Sequence, residues 1–522
     1  MNSRRPPLLS RGRARLLIYA LSGLFFFGAG ARSLSQSAFP ALAATGVQDS
    51  SSAGEEEIIF GEEEEKAPEY PSRSLRREKQ GGKWMGRVNL GGYFENELGL
   101  DTVQENSQED MIDFRSKIFG YGAYAFSDKT SLHLSILTLY WILEGGQDKQ
   151  QASFDLYEGY LAFKFKTSDL YLGQMLAHWG VCNVFSPTDG VNPINYRSFI
   201  DPDSEDLKIP LPMIKADFFS DNLALEALYV PIFHSAVFQL TGADLSLVSG
   251  GGNSSKLPAG LDPFVTRTLR SYPTQSIDYQ EQKFLTGEAG LKLSFRKESA
   301  QAELIYLSTR EDFPAILYTA PSDIADPNAV GDLIFEFNRY ELYGLTYKTP
   351  LKGVDLFTEY AYSPRRTITL ALDTTNPPDG VIDKTKRAER AWQAASIELD
   401  YLDPGGNYFL KLGAERTTYI NAPDKIFLSS PDTLYFLALL RLILMQGNLM
   451  PEWRVINVQA GSNQWFVSPR LKYRFQNRYD LTAGFNIFSG GGGSASASRQ
   501  QSTPIIILSD NNQFFVSFRW SF

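Results

Sequence analysis

From Trp84 to the C-terminus, apolar residues recur at every second position, the signature of a half-buried β-strand. Ala289, Leu291, Leu293 and Phe295 alternate with Glu288, Gly290, Lys292 and Ser294. Ala395, Ile397, Leu399 and Tyr401 alternate with Ser396, Glu398 and Asp400. Trp465, Val467, Leu471, Tyr473 and Phe475 share one face, and Ser468, Arg470, Lys472 and Arg474 the other. A soluble sandwich shows the same alternation with its apolar face inward, so the connections must decide between the two.

Short polar turns fall at 127–130, 166–169, 220–222, 296–299, 350–353, 403–407 and 476–478. Each joins two alternating runs of roughly ten residues, the length that crosses a bilayer when tilted. Between these hairpins lie longer connections, at 100–111, 143–152, 181–207, 234–280, 310–333, 364–387, 420–463 and 489–512. Hairpins at the seven turns, with lone strands at 86–99 and 513–522, give about sixteen strands. All short turns then lie on one side and all long loops on the other. The pattern predicts an all-β fold, a transmembrane antiparallel β-barrel with short periplasmic turns and long extracellular loops.

One stretch breaks the period. In 430–448, Pro431 and Asp432 at the start and Gly447 at the end bracket a run that is apolar nearly all round apart from Arg441. Such a run predicts a short loop helix buried in the lumen or in lipid. The final strand, by contrast, alternates cleanly. Val516, Phe518, Trp520 and Phe522 share one face, and a terminal aromatic in that setting resembles the signal by which the barrel-assembly machinery recognises its clients. Barrel closure requires this strand to pair with the first, because an unpaired edge cannot face lipid.

Composition strengthens the membrane reading. The chain has 36 Phe, 26 Tyr, 7 Trp and 42 Gly, yet a mean hydropathy of −0.23. Many aromatics at modest hydropathy suit strands that are apolar on the lipid side only. Residues 1–43 read as a cleaved export signal: Arg4, Arg5, Arg11, Arg13 and Arg15 precede the apolar run 16–31, and Ala41-Leu42-Ala43 offers a small-residue cleavage site. Loss of its six arginines takes the net charge from −10 to −16, unsuited to nucleic acid. Residues 44–83 then form a disordered periplasmic tail, with Ile58-Ile59-Phe60 between acidic runs as a spacer or a docking motif for a periplasmic partner. The barrel occupies 84–522. Cys182 is the only cysteine, so no intramolecular disulfide can form.

Candidate chemistry is sparse. The three histidines, His133, His178 and His234, belong to no nucleophile–base–orienter set, and neither an enzyme nor a cofactor is expected. His178 and Cys182 stand at a metal-like spacing, but a strand end leading into a loop would not hold them on one face. Asp373, Asn376, Asp379, Gly380 and Asp383 lack the ligand spacing of a calcium loop. The lumen is more informative. Alternation points Glu226, Glu288, Glu303, Glu359, Glu398, Asp400, Arg470, Lys472 and Arg474 inward as pore-lining charges. Two readings follow: a basic ladder and acidic walls that set a transverse field across a water-filled pore, or charges paired inside a plugged lumen. The long Pro-, Asn- and Asp-rich loop after the fifth strand, with Trp179, Asp189, Asn192 and Arg197, is the candidate constriction.

This same region resembles the Gram-negative barrels grouped as domain of unknown function 1302. The matching positions are Gly173-Gln174, Trp179-Gly180, Asp189, Asn192-Pro193, the acidic stretch 201–206, and 210–213. The resemblance implies a porin-like outer-membrane barrel, associated with movement of hydrophobic compounds or with inner-membrane exporters, and brings no catalytic residues. The expectation is therefore a channel or transporter in outer-membrane lipid, for hydrophobic or amphipathic solutes. The alternative is a structural or docking barrel for a periplasmic or exporter partner, or the sheath of a cytochrome conduit.

Overall fold

A computed structural model describes residues 88–102, 111–143, 150–195, 208–239, 276–277, 279–280, 287–319, 326, 331–370, 387–422, 430–460, 463–490 and 512–522. The export signal, the tail with Ile58-Ile59-Phe60, Arg197 and the acidic string 373–383 lie outside the described residues.

The strands are, in chain order, β1 (Val88–Asp101), β2 (Met111–Ser127), β3 (Thr130–Leu143), β4 (Gln150–Lys164), β5 (Ser168–Met175), β6 (Leu211–Phe219), β7 (Leu223–Val230), β8 (Phe238–Gln239), β9 (Ser276–Ile277), β10 (Glu288–Lys297) and β11 (Ala300–Arg310). They continue as β12 (Ala315–Thr319), β13 (Asp332–Glu336), β14 (Arg339–Leu351), β15 (Val354–Thr369), β16 (Arg387–Leu402), β17 (Tyr408–Tyr419), β18 (Asp432–Leu442), β19 (Leu449–Gln459), β20 (Asn463–Phe475), β21 (Tyr479–Gly490) and β22 (Gln513–Ser521). Two pairs, β8–β9 and β12–β13, are small ribbons in the long connections, and the others form one 18-stranded antiparallel sheet. Each wall strand pairs with its neighbour along the chain, and β1 pairs with β22 from Tyr93↔Ser521 to Asp101↔Gln513. Gly92 and Phe522 exchange backbone hydrogen bonds at 3.1 and 2.9 Å at the seam. No wall edge is left open, as a hydrocarbon surround demands.

The tight turns sit where the polar breaks predicted them. At 352–353, Lys352 (φ 51°) and Gly353 (φ 88°) supply the two positive φ angles of a twist-compatible two-residue hairpin. Outward positions carry the large apolar side chains, and Phe126, Phe165, Phe295, Phe475 and Trp520 are exposed beside the short turns as an aromatic girdle. A closed barrel with an apolar exterior and an aromatic rim is an outer-membrane structure.

The strand count is 18 rather than about sixteen, and the difference has one source. Residues 432–442 are not a helix but strand β18, which returns as β19 through a turn at 443–448. No helix occurs among the described residues. Positive φ at Met445, Gln446 and Gly447 makes a hairpin turn where Gly447 suggested a helix end. The run reads as apolar all round because both faces of β18 meet apolar surroundings. Phe436 and Leu440 face outward and are exposed, whereas Leu437 and Leu439 face inward and are buried. Inside, the neighbouring Tyr435 ring meets Phe185 of an infolded segment, with centroids 5.6 Å apart. A lumen position that packs against protein instead of water takes an apolar residue, and the alternation disappears.

Candidate functional site

The chain leaves β5 at Met175 and does not run outward from the barrel. Residues 176–195 lie inside the lumen, with hydrogen bonds, ion pairs and ring contacts to strands from β5 round to β18. Apolar packing starts the anchoring: Ala177, Trp179 and Val191 join Met213, Leu228, Leu307, Leu342 and Ala361 of the wall in one buried cluster. Full burial of an aromatic side chain such as Trp179, which has no exposed surface, contributes roughly 2–3 kcal/mol. Gly290, inward on β10, makes the room. A Cβ there would overlap the Trp179 ring, coming within 2.7 Å of Cζ3.

Buried backbone needs partners, and carboxylates from the wall supply them. Glu359 on β15 accepts from the amides of Val181 (2.6 Å), Cys182 (2.7 Å) and Thr188 (3.2 Å). It also accepts from the hydroxyls of Ser186 (3.0 Å) and Thr188 (2.6 Å). Glu398 on β16 accepts from the Asn183 amide at 3.1 Å and its side-chain Nδ2 at 2.6 Å, and pairs with Lys411 at 2.8 Å. Glu226 on β7 accepts from Trp179 Nε1 at 2.6 Å and pairs with Lys292 at 3.1 Å. The hairpin drawn around Glu359 depends on Gly180, whose φ of +114° and closeness to Ser186 and Glu359 exclude a side chain.

A second set of contacts fixes the segment's entrance. Asp189 accepts from the Trp179 amide at 3.1 Å and pairs with His178 Nδ1 (2.8 Å) and Lys208 Nζ (3.0 Å). Burial alone would raise the Asp189 carboxyl, but the Lys208 ammonium and His178 hold it well below the usual carboxylate range. In return Asp189 lifts the His178 imidazole above its ordinary value, against the lowering effect of burial. Asn192 accepts from the Ala177 amide at 2.7 Å and donates to the Ile209 carbonyl at 2.8 Å. Cys182 is buried against Ser396, whose hydroxyl lies 3.5 Å from Sγ, and burial pushes its thiol well above the ordinary range. His178 and Cys182 are thus drawn to different partners.

The nine inward charges expected from the sequence all point into the lumen but do different things. Glu226, Glu359 and Glu398 hold the infolded segment. Glu288 accepts from Arg310 N at 2.9 Å and from the Thr309 hydroxyl, tying β10 to β11. Glu303 accepts from Gln301 (2.6 Å), Ser294 (3.1 Å) and Thr346 (3.2 Å). Asp400 pairs with Lys411 at 3.2 Å. Arg470, Lys472 and Arg474 stand on β20. The Arg470 Nε donates to Ser468 Oγ at 3.0 Å, and its guanidinium lies 5.5 Å over the Phe515 ring. Lys472 and Arg474 both pair with Asp480, at 3.1 and 3.0 Å. Sequence reasoning missed Ser186, Thr188 and the backbone amides that Glu359 gathers, and marked Gly180 only as a matching position of the resemblance. The available signal was glycine at the inward positions Gly290 and Gly344, since glycine within a strand marks close approach of another chain segment.

Exposure divides the lumen in two. The anchoring carboxylates Glu359 and Glu398 are 3% and 2% exposed, whereas the side chains of Lys472 and Arg474 keep 31% and 30% of their surface. Arg454 on β19 is as buried as those acids, at 3%, and the two exposed cations lie close to the short turn at 476–478.

The fold resembles solved porins at low identity. OccAB1 of Acinetobacter baumannii aligns over 83% of this chain and 96% of its own, at 8% identity and a TM-score of 0.46. OccK1 (OpdK) of Pseudomonas aeruginosa aligns over 83% and 98%, at 9% identity and a TM-score of 0.44. OmpF of Salmonella typhi, solved with daunomycin, aligns over 84% and 98%, at 10% identity and a TM-score of 0.40. No curated protein matches the sequence. Residues 94–421, from β1 to just past β17 and including the whole infolded segment, match the family described as Protein of unknown function (DUF1302). The chain belongs to that family.

Proposed function

We propose that this barrel is a diffusion channel for small water-borne solutes, with its constriction between the infolded segment 176–195 and the basic wall of β19–β22. The observation that carries this reading is the division of the lumen. The segment is tied to the wall from β5 to β18, and Lys472 and Arg474 on β20 keep 31% and 30% of their side-chain surface. A sealed plug would bury both sets of charges, because unpaired buried charge is costly. The expectation of hydrophobic or amphipathic solutes comes from the family resemblance, and the apolar run 432–442, a wall strand rather than a loop helix, adds no greasy platform to it. The lumen's polar lining favours polar or amphipathic solutes instead.

In this reading the leader exports the chain, and the outward Phe518, Trp520 and Phe522 present the closing strand to the barrel-assembly machinery. The Ile58-Ile59-Phe60 stretch is left for a periplasmic partner. Planar-bilayer recording of the purified chain tests the channel directly. Stable single-channel steps that scale with salt are expected, and persistent silence at high protein load would favour the docking-barrel alternative.

A further inference from the structure

Exposed aromatic side chains of the wall strands face lipid, as Tyr124 and Phe126 on β2 and Tyr140 on β3 do. Tyr121 is an exception. It alternates with the outward Ile118 and Tyr124 and shares the inward side of β2 with Arg115, Lys117 and Phe119, opposite Gly91 of β1 and Ser135 of β3. Its side chain is 40% exposed, and that surface meets the water of the lumen. The ring leans on Gly91, where a Cβ would come within 2.7 Å of its Cζ. Neighbouring rings steady it. Phe119 lies 6.2 Å from Tyr121, stacks on Tyr93 at 5.4 Å and meets Tyr157 edge-on at 5.9 Å. Tyr93 and Tyr157 are buried, so they back the row, and Tyr121 with the half-buried Phe119 presents it. Across Leu137 from Phe119, Asp155 on β4 faces the lumen in the same row, about 10 Å away by two interstrand spacings. Asp155 is exposed and has no hydrogen bond or ion pair among the described residues.

Resting on the channel reading, we propose that the inner wall of β1–β4 carries a stacking subsite for neutral saccharides, with Tyr121 and Phe119 as the platform and Asp155 as the hydroxyl acceptor. An aromatic ring has a negative face, and the apolar, weakly positive C–H face of a pyranose packs on it. The hydroxyl rim of the sugar then needs acceptors, and a carboxylate offers two oxygens. Two linked sugar rings cover the span from the platform to Asp155. The rings are already ordered by one another, so little side-chain freedom is lost on binding. Charges of both signs are partnered along this wall, Arg115 with Glu97 at 2.7 Å and Arg519 at 3.6 Å over the Tyr93 ring. The open carboxylate of Asp155 turns anions away, which leaves neutral solutes as the better fit.

The test uses the purified full-length chain in planar bilayers with potassium chloride on both sides. Maltose at on the order of 10 mM, suited to a weak site, should interrupt the open-channel current. Mannitol at the same concentration, which has hydroxyls but no ring face, should not. Tyr121→Ala should raise the maltose concentration for half-block about tenfold, the ratio that loss of one stacking contact produces. Tyr121→Phe keeps the ring and should be blocked as the wild type is. Gly91→Val should weaken the block with Tyr121 still present, because the ring loses its seat, and Asp155→Leu should weaken it by removing the acceptor. Conducting channels that maltose does not interrupt, equal interruption by mannitol, or a half-block unmoved in Tyr121→Ala and Asp155→Leu overturn the subsite and leave the channel reading standing. Absence of any conductance overturns both.

Discussion

The indole nitrogen of Trp179 donates a 2.6 Å hydrogen bond to Glu226, and a 47-residue separation in sequence is thereby closed inside the barrel. Trp179 belongs to the segment that leaves β5, and Glu226 to the wall strand β7. Their contact, with Lys292 lying 5.7 Å over the indole ring, fixes the start of a segment that would otherwise leave with the other long loops.

The space for that ring comes from Gly290. Gly290→Val should expel the Trp179 side chain, because the new side chain would overlap it. Overpacking of this kind typically costs about 1–3 kcal/mol, so the folded barrel should melt at lower temperature. The single-channel step should widen as the segment loosens. A variant with wild-type melting and conductance would show that the ring is not held there.

Glu359 gathers three amides and two hydroxyls. Glu359→Ala should leave these buried groups unpaired, a loss of roughly 2–4 kcal/mol, and release the segment without opening the wall. Noisy, larger steps are expected in bilayer recordings, with an unchanged heat-resistant barrel on gels.

Cys182 reports on the same event. In the wild type its thiol is buried and held protonated, so maleimide should label it slowly, since the thiolate is the nucleophile. In Glu359→Ala the rate should rise at least about tenfold, because both exposure and thiolate fraction increase. Equal rates in the two proteins would mean that the segment remains docked without its carboxylate.

The Asp189 cluster gives docking a pH window. The His178 pKa is raised on docking, so its contribution is complete below the ordinary value of 6.5 and fades as pH rises through the docked one. The Asp189 pKa is depressed, so its contribution is complete above the ordinary 3.8 and fades as pH falls toward the docked one. Open-channel noise should therefore be lowest between those ordinary values. The alkaline rise should be modest, because Lys208 still pairs with Asp189 and the His178 side chain is 47% exposed. His178→Gln should flatten the alkaline limb and leave the acid limb in place.

The barrel was legible because lipid on one side and a polar lumen on the other impose period two, as in β10 and β20. Where protein replaces water inside the barrel that rule fails. Leu437 and Leu439 face inward against the infolded segment's surroundings, so β18 read as a helix and two strands were missed. The candidate site was half legible for the same reason. Alternation gave the inward direction of Glu226, Glu359 and Glu398, but not the amides of Val181, Cys182 and Asn183 that they bind. Backbone donors leave no mark in a sequence, and a segment's decision to fold inward is a long-range event. The length and composition of the loop after β5 marked it as a candidate constriction, and the wall glycines Gly290 and Gly344 show where it approaches the wall.

The central claim is that residues 176–195 narrow a conducting lumen. Its most direct test is the single-channel conductance of the wild type beside a variant in which 180–190 are replaced by a short Gly-Ser link. Stable, salt-dependent wild-type steps and at least about twofold larger steps in the variant are expected, since conductance rises with the cross-section left open to water. Identical steps in both proteins, or wild-type silence that persists in the variant, would contradict the account.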